Sequence, residues 1–369
     1  MKQKICHLTS AHTRYDTRIF VKMCSSLSKK GYDVSLIVAD GKGYELKNGV
    51  TIIDIGGKTG NRFSRMTRSV YKVYKAALDL NADIYHMHDP ELLLVSLLLK
   101  RKGKKVIFDA HEDLPIQILS KPYLSPAFAK LISSVAHHYE RFLCERIDAV
   151  VAATPFIRDK FIKINPVTVD VNNFPKVEEF VNINTFNFFE RKSCCYIGGI
   201  TKVRGIYEIV DAMGLTESNG DLLLAGNFLE KQVEIDVVKL KGWGKVNELG
   251  WLDRQEVVNV LGSSFAGLVT LHPIENYKDA LPVKMFEYMA SGIPVIASNI
   301  SLWKDIVSAD DCGLCVDPYS SQEIANAIDY LSNNLDVAKM MGARGREAVL
   351  RQYNWQVEEC KLFELYSKL

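Results

Sequence analysis

The stretch KDALPVKMFEYMASGIPVIAS, Lys278 to Ser298, decides how this chain is read. An acid, Asp279, stands eight positions before a second acid, Glu287. Pro282 suits the first turn of a helix, where its missing N–H costs nothing. Gly292 suits the position just past a helix end. The pattern therefore predicts a helix over 283–291. Within it Lys284, Glu287, Tyr288 and Ser291 recur at i, i+3, i+4 and i+7, an expected polar face. Met285, Phe286, Met289 and Ala290 make the apolar side, suited to pack on a strand at 293–297. The free N–H groups of the first turn form an anion site, and Lys284 adds a cation there. A ligand with phosphate and several hydroxyls fits such a place. Phosphate takes the helix end and the lysine, and carboxylates accept charge-assisted hydrogen bonds from sugar hydroxyls. Spacing alone equally allows a solvated helix face with an incidental Lys–Glu pair.

Outward from this stretch, short apolar runs alternate with helical patterns. CHLTS, VSLIVA, DIYHMH, KVIFDA, AVVAAT and VTVDV read as strands of a first βα series with a mainly parallel sheet. Lys29-Lys30-Gly31 and Lys102-Gly103 are helix stop signals just before strands. The rhythm breaks over 172–191, a stretch of Pro, Asn and acids without clean period, which reads as an inter-domain linker. A second series follows: SCCYIG, DLLLAG, KVNELG, FAGLVTL, IPVIAS and GLCVDP as strands, with helices between. The chain closes in helical segments with a joint at Tyr353-Asn354. The expected division is an N-terminal Rossmann-like domain at 1–172, a linker at 173–191 and a second such domain at 192–353. In such sheets ligands sit beyond the carboxyl ends of the strands.

The bulk numbers fit. The chain has 369 residues, 47% apolar and 24% charged, with a net charge of only +2. That is material for two or three domains, and it lacks the basic bias of a nucleic-acid binder. The longest apolar run, Leu92 to Leu99, is too short to span a membrane, and no targeting signal is apparent. The expectation is a cytoplasmic protein. Eight scattered cysteines read as reduced thiols. Cys312 and Cys315 form one CxxC, but nothing completes a zinc site.

A second fragment, YIGGITKVRGIYEIV from Tyr196 to Val210, reads as strand, Gly-Gly turn and a helix beginning near Arg204. It is neither GxGxxG nor a P-loop, yet Arg204 could grip a diphosphate bidentately. Together these residues resemble the donor-binding half of a family 4 glycosyltransferase, a retaining sugar transferase of the GT-B fold. That resemblance implies an α/β architecture of two Rossmann-like domains facing across a cleft, with a C-terminal helix at 354–369 returning to the N-domain. The family pattern is Glu-x7-Glu followed by a Met-Ala-x-Gly-x-Pro run. Here Glu287 takes the second place, which implies a grip on the ribose hydroxyls. Asp279 takes the first, with an implied contact near the reacting carbon, one methylene shorter than Glu. Leu281, Pro282 and Val283 join the implied donor set as the opening of the helix. At the phosphate loop the family has Gly-Arg-x4-Lys-Gly. Here Gly199 stands at the Arg position and Arg204 at the Lys position, so one of two cations is missing, and Lys284 is expected to make up the charge. Gly250 and Trp251 resemble the base-binding edge.

The N-terminal half carries the same resemblance. It implies acceptor or donor contacts for His12 and Asp16, acceptor-side places for His88 and Glu112, and a sugar contact for His111. Read from the residues alone, HMHD at 86–89 and HED at 111–113 could suggest a metal, but the family needs none for catalysis. The expectation is therefore no metal or other cofactor, with a UDP-sugar as first-choice donor and a GDP-sugar as second. Arg65, Arg68, Lys72 and Lys75 recur at helical spacing beside Tyr71 and Tyr74. That stripe suits an anionic membrane surface or an ordinary solvated face.

The reading is a hexosyl-type transfer from a nucleotide-diphosphate sugar to a glycan or lipid-linked acceptor, in capsule, O-antigen or exopolysaccharide synthesis. The catalytic set is Asp279, Arg204, Lys284 and His111. No residue stands out as a covalent nucleophile. Two alternatives remain: a nucleotide-sugar epimerase or hydrolase, and a degenerate transferase acting as a non-catalytic partner.

Overall fold

The structure, a computed structural model, describes residues 2–57, 65–119, 124–185 and 187–369. The chain divides into two units, one of residues 1–173 with 356–369, the other of residues 174–355.

The first unit is built on an eight-stranded sheet. Its strands are β1 (Lys4–Leu8), β2 (Asp33–Val38), β3 (Glu45–Lys47), β4 (Val50–Asp54), β5 (Ile84–Met87), β6 (Lys105–Ala110), β7 (Ala149–Ala152) and β8 (Thr168–Asp170). The order is β3-β4-β2-β1-β5-β6-β7-β8, parallel except for β3. The β3–β4 hairpin is absent from the reading of the sequence. Asn48 and Gly49, both at positive φ, turn it, as an Asn-Gly pair does between strands. Helix α1 (17–30) joins β1 to β2. Helices α2 (Val70–Leu80), α3 (Leu93–Arg101), α4 (Leu114–Leu119), α5 (Pro126–Cys144) and α6 (Pro155–Phe161) follow in the later crossovers.

Period-2 alternation sorts the strand residues between two faces. Cys6, Leu8, Tyr85, Met87, Val106 and Phe108 join α2, α3, α5 and α6 in one apolar core. The opposite face of the same strands carries His7, His86, His88 and Asp109, all at 0–2% exposure. Register sets them side by side, with His7 opposite His86 across β1 and β5.

The second unit holds a six-stranded, wholly parallel sheet of order β11-β10-β9-β12-β13-β14. Its strands are β9 (Ser193–Ile197), β10 (Leu222–Ala225), β11 (Val246–Gly250), β12 (Ser264–Val269), β13 (Val295–Ser298) and β14 (Gly313–Val316). The helices that matter for the site are α7 (Ile206–Leu215), α8 (Arg254–Ser263) and α9 (Val283–Ala290). The stretch expected as a linker is not one. It forms short 3-10 turns, and Phe174, Phe180, Ile183 and Phe188 are buried in the core of this unit. Its apolar residues recur too irregularly for a helix or strand period to flag them.

The final helix, α10 (Trp355–Ser367), belongs almost wholly to the first unit. Glu358 accepts from the Asn172 N–H at 2.7 Å, and Tyr366 is buried against the histidine face.

Candidate donor and histidine sites

Both sheets reverse direction at one point, between β1 and β5 and between β9 and β12. Open α/β sheets bind ligands at such switch points. The sequence-predicted residues gather at these two places.

At the second switch point two glycines let the backbone crowd together. Gly205 has φ +77°, and a Cβ there would lie 2.1 Å from the Thr270 carbonyl oxygen. Gly226 has φ +140°, and its Cβ would lie 2.0 Å from the Gly198 oxygen. Only glycine tolerates both the conformation and the approach. The loop after β9 thereby leaves room at Gly198, and two cations fill its edge. A Cβ at Gly198 would meet Lys284 Nζ at 3.5 Å and the Arg204 guanidinium at 3.8 Å. Arg204 donates to the Gly199 carbonyl at 3.0 Å, with the Tyr196 and Tyr277 hydroxyls beside it. A Cβ at Gly199 would lie 3.0 Å from that guanidinium, so a bare position 199 leaves space for Arg204. The helix expected to start near Arg204 starts two residues later, because Gly205 in the left-handed region closes a 3-10 turn at 202–204.

Lys284 sits in the first turn of α9, with Nζ 3.5 Å from the centre of the Tyr196 ring. That nitrogen is buried and has no hydrogen-bond partner. Burial pushes its pKa well below the ordinary lysine value, and the charge of Arg204 pushes it further. Among the described residues no carboxylate pairs with either cation. A helix N-terminus repels cations, so two of them beside it mark a place for an anion.

The expected polar face of α9 is only partly polar. Tyr288 is fully buried, its ring filling the space left by the missing side chain of Gly267, and its hydroxyl accepts from the Ile197 N–H at 3.0 Å. Ser291 is buried and donates to the Glu287 carbonyl at 2.7 Å. The phenol ring packs as core, whatever its hydroxyl suggests in a periodicity count. Glu287 keeps its place on the polar side but is not free. Arg254 reaches it at 2.8 Å and pairs with Glu179 as well. Arg254 opens α8, and Val257, one turn on, lines a cavity of about 310 Å³. Gly198, Gly199, Leu229 and Trp251 also line it, and Gly250 ends β11 just before that tryptophan. Leu281, Pro282 and Val283 are half-buried at the opening of α9, and Asp279 is exposed in the loop before them. Arg254 carried no signal in the sequence beyond its position after the Asp253 cap.

At the first switch point the strand face assembles a buried polar network. Asp109 accepts from Arg18 Nε and Nη2 at 2.9 and 2.7 Å, with His88 Nδ1 at 3.0 Å and His111 Nε2 at 2.9 Å. Burial alone would raise the Asp109 pKa, but the Arg18 charge and the two imidazoles hold it well below the carboxylate range. His88 Nε2 meets His7 Nδ1 at 2.8 Å, and Tyr366 meets His86 at 2.7 Å. Burial holds these three histidines below their ordinary pKa and so neutral. His88, expected on the acceptor side, is 2% exposed and lies beneath the surface, bonded to His7 and Asp109.

Two histidines reach the surface. His111 is partly exposed, and the His12 ring lies 5.0 Å from it. His12 lies between Asp16, at 3.2 Å, and Asp89, at 3.4 Å. Burial lowers its pKa, but these carboxylates more than offset that and raise it. Asp16 does a structural task besides: it caps α1, accepting from the Arg18 and Ile19 N–H groups at 2.9 Å each. Glu112 is exposed and accepts from Gln117. Arg18 and Asp109 escaped the sequence reading, although Asp109 and His111, two apart on one strand face, could have been paired by periodicity.

Two donor groups here could hold a metal: His7 with His86 and His88, and His88 with Asp109 and His111. His88 bonds to His7, Asp109 and His111, and Arg18 occupies both Asp109 oxygens, whereas His86 Nε2 is buried without a hydrogen-bond partner. Of the basic stripe, Arg68, Lys72 and Lys75 are exposed on and just before α2, while the Arg65 side chain lies outside the described residues. Among the described residues no helix is long and apolar enough to cross a membrane.

Comparison with known proteins places this geometry. Residues 17–171 match the model of Glycosyltransferase Family 4, and residues 183–348 match Glycosyl transferases group 1. The chain belongs to the family 4 glycosyltransferases. It is 23% identical over 357 residues to N-acetyl-alpha-D-glucosaminyl L-malate synthase of Bacillus anthracis, covering 89% of this chain and 87% of that one. It is 37% identical to a GDP-mannose-dependent mannosyltransferase of Mycobacterium tuberculosis, but over only 84 residues, 23% of this chain and 22% of that protein. Sucrose-phosphate synthase from Thermosynechococcus elongatus superposes with a TM-score of 0.80 at 17% identity, covering 100% of this chain and 99% of that one. Anabaena HepE in complex with UDP gives 0.73 at 13% identity with full coverage of both. The fold is GT-B.

Proposed function

We propose that this chain transfers a sugar, with retention at the anomeric carbon, from a nucleotide-diphosphate sugar to a glycan or lipid-linked acceptor. The observation that carries the reading is the pair Arg204 and Lys284. Two cations without a carboxylate stand at a helix N-terminus beside Gly198, and a diphosphate supplies the missing charge. In this reading the nucleoside enters the cavity lined by Trp251, and Glu287 exchanges part of its Arg254 pairing for ribose hydroxyls. Asp279 approaches the sugar, and His12 and His111 serve hydroxyl groups. The diphosphate departs, stabilised by Arg204, Lys284 and the α9 N–H groups. The acceptor hydroxyl attacks from the same face, giving its proton to the departing phosphate oxygen. No step calls for a metal or other cofactor.

A UDP-sugar is the first-choice donor, supported by the solved HepE complexes with UDP and UDP-glucose. A GDP-sugar is second, since the Mycobacterium tuberculosis relative is GDP-mannose-dependent. A role in surface polysaccharide synthesis is supported by similarity to the capsular glycosyltransferase CapM of Staphylococcus aureus, 24% identical over 182 residues. A place on an anionic membrane surface is supported by the stripe of Arg65, Arg68, Lys72 and Lys75, of which the last three are exposed.

Titration calorimetry with UDP, GDP and ADP identifies the base. Glu287→Ala is expected to weaken nucleotide binding strongly, and Arg204→Ala to lower turnover in an initial-rate assay. Unchanged values in both variants would remove the site assignment. The short Asp279 and the bare Gly199 favour one second reading, nucleotide binding without chemistry. Binding with no turnover across donors and acceptors is its signature, whereas release of free sugar without an acceptor indicates hydrolysis.

A further inference from the structure

The second unit holds a cavity of about 350 Å³ that no step of the transfer uses. It lies at the other end of α9 from Lys284, about 10 Å along the helix axis. Ser291 and Gly292, which close that helix, form one wall, and Ile183 and Phe188 form an apolar one. Three cations complete the lining. Arg191 comes from the turn before β9, and Lys339 and Arg346 come from the helix Leu335–Arg351. Among the described residues no carboxylate lines the cavity.

Helix packing accounts for only part of this charge. A helix C-terminus attracts cations, and Arg346 meets that end of α9, its Cδ 3.9 Å from where a Cβ on Gly292 would lie. Arg191 serves no helix end. It is 7% exposed, its Nη1 donates to the Ser264 carbonyl at 3.1 Å, and its guanidinium lies 4.6 Å from the centre of the Phe188 ring. Its Nε is buried without an acceptor. Burial brings its pKa down to about 10, so it is still charged at neutral pH. A buried charge without a partner is costly. Lys339 is exposed, with its Nζ 4.6 Å from the centre of the Phe189 ring. Among the described residues no carboxylate pairs with Arg191 or Lys339. The only buried lysine or arginine nitrogens without an acceptor among those residues are Lys284 Nζ and Arg191 Nε. The cavity thus repeats the signature of the donor site in a second place.

The lining selects the ligand. Guanidinium groups match phosphate oxygens two at a time. The Ser291 hydroxyl donates to the Glu287 carbonyl at 2.7 Å, which leaves its oxygen to accept from a ligand hydroxyl. The volume is that of a small-molecule site. We propose that Arg191, Lys339 and Arg346 hold a phosphate group, free or as the monoester of a small hydroxylated molecule, at a site separate from the donor site. The site stands whether or not the chain turns over a nucleotide sugar.

The test is titration calorimetry of the full chain with inorganic phosphate and with ribose 5-phosphate, at ionic strength fixed by sodium chloride. Saturable binding with one site per chain is expected. Tighter binding of the ester assigns the site to monoesters, and equal binding assigns it to the free ion. Lys339→Glu reverses a charge at an exposed position and should weaken the affinity about tenfold or more. Arg191→Met keeps the packing on Phe188 and should weaken it as much. If that variant loses its cooperative thermal transition, Lys339→Glu decides alone. Lys284→Met alters the donor site and should leave the affinity unchanged. Absence of saturable binding with both probes overturns the proposal, as does an unchanged affinity in Lys339→Glu. Loss of binding in Lys284→Met with retention in Lys339→Glu also overturns it, because the phosphate then belongs to the donor site.

Discussion

Replacing Lys284 by Met should make the free protein more stable and the liganded protein less so. The ammonium group is buried, lacks an acceptor, and stands beside Arg204 and the positive end of α9. A buried polar group left unpaired costs about 1–3 kcal/mol. Met keeps the methylene packing over Tyr196, a volume-conserving change that costs under about 1.5 kcal/mol. The net gain is about 1 kcal/mol, a rise in Tm of about 2–4 °C for a unit of this size. Nucleotide affinity should move the opposite way. Loss of a charge-assisted bond worth about 1.5–3 kcal/mol weakens it about 10- to 100-fold. Differential scanning fluorimetry with and without UDP or GDP reads both effects. The pH dependence adds a sign. The folded pKa of Lys284 lies below its unfolded value, so its protonation destabilises the free fold. That penalty is fully present below the folded pKa and disappears as pH rises through the folded pKa to the unfolded one. The variant should lack this alkaline gain. A variant less stable without ligand, and equal to the parent in nucleotide affinity, would refute the account of an anion site held open by unpaired cations.

Asp109→Asn breaks a buried bidentate pair and leaves the Arg18 charge uncompensated, a loss of about 3–5 kcal/mol by denaturant unfolding. Arg18→Met with Asp109→Leu should recover much of it. Burial would raise the Asp16 pKa, but the His12 hydrogen bond and the Ile19 N–H bring it down to about 2. A lowered carboxylate pKa gives stability above the unfolded value, here about 2 kcal/mol, lost as pH falls from about 4 to about 2. Asp16→Asn should flatten that part of the acid unfolding curve. Gly205→Ala places a Cβ 2.1 Å from the Thr270 oxygen at φ +77°. A loss of about 2 kcal/mol or more is expected in thermal unfolding, together with loss of nucleotide binding because Arg204 is displaced.

The sequence by itself determined the repeating βα order, because strand and helix periods are local, and every named strand of that reading has a counterpart in the two sheets. It also determined the α9 helix, through Pro282 and Gly292, and with it the place of Lys284 in the first turn, while the Gly-Gly turn after a strand pointed to Arg204. Tertiary structure decided the rest. Whether Tyr288 is polar surface or core depends on the empty side-chain position at Gly267, on another strand. Whether 173–191 is linker or core depends on where Phe174 and Phe180 find apolar partners. The Arg254–Glu287 pair and the Arg18–Asp109 clamp join residues 33 and 91 positions apart. No local pattern encodes such pairs, because strand register and helix packing bring the charges together only once the sheets have formed.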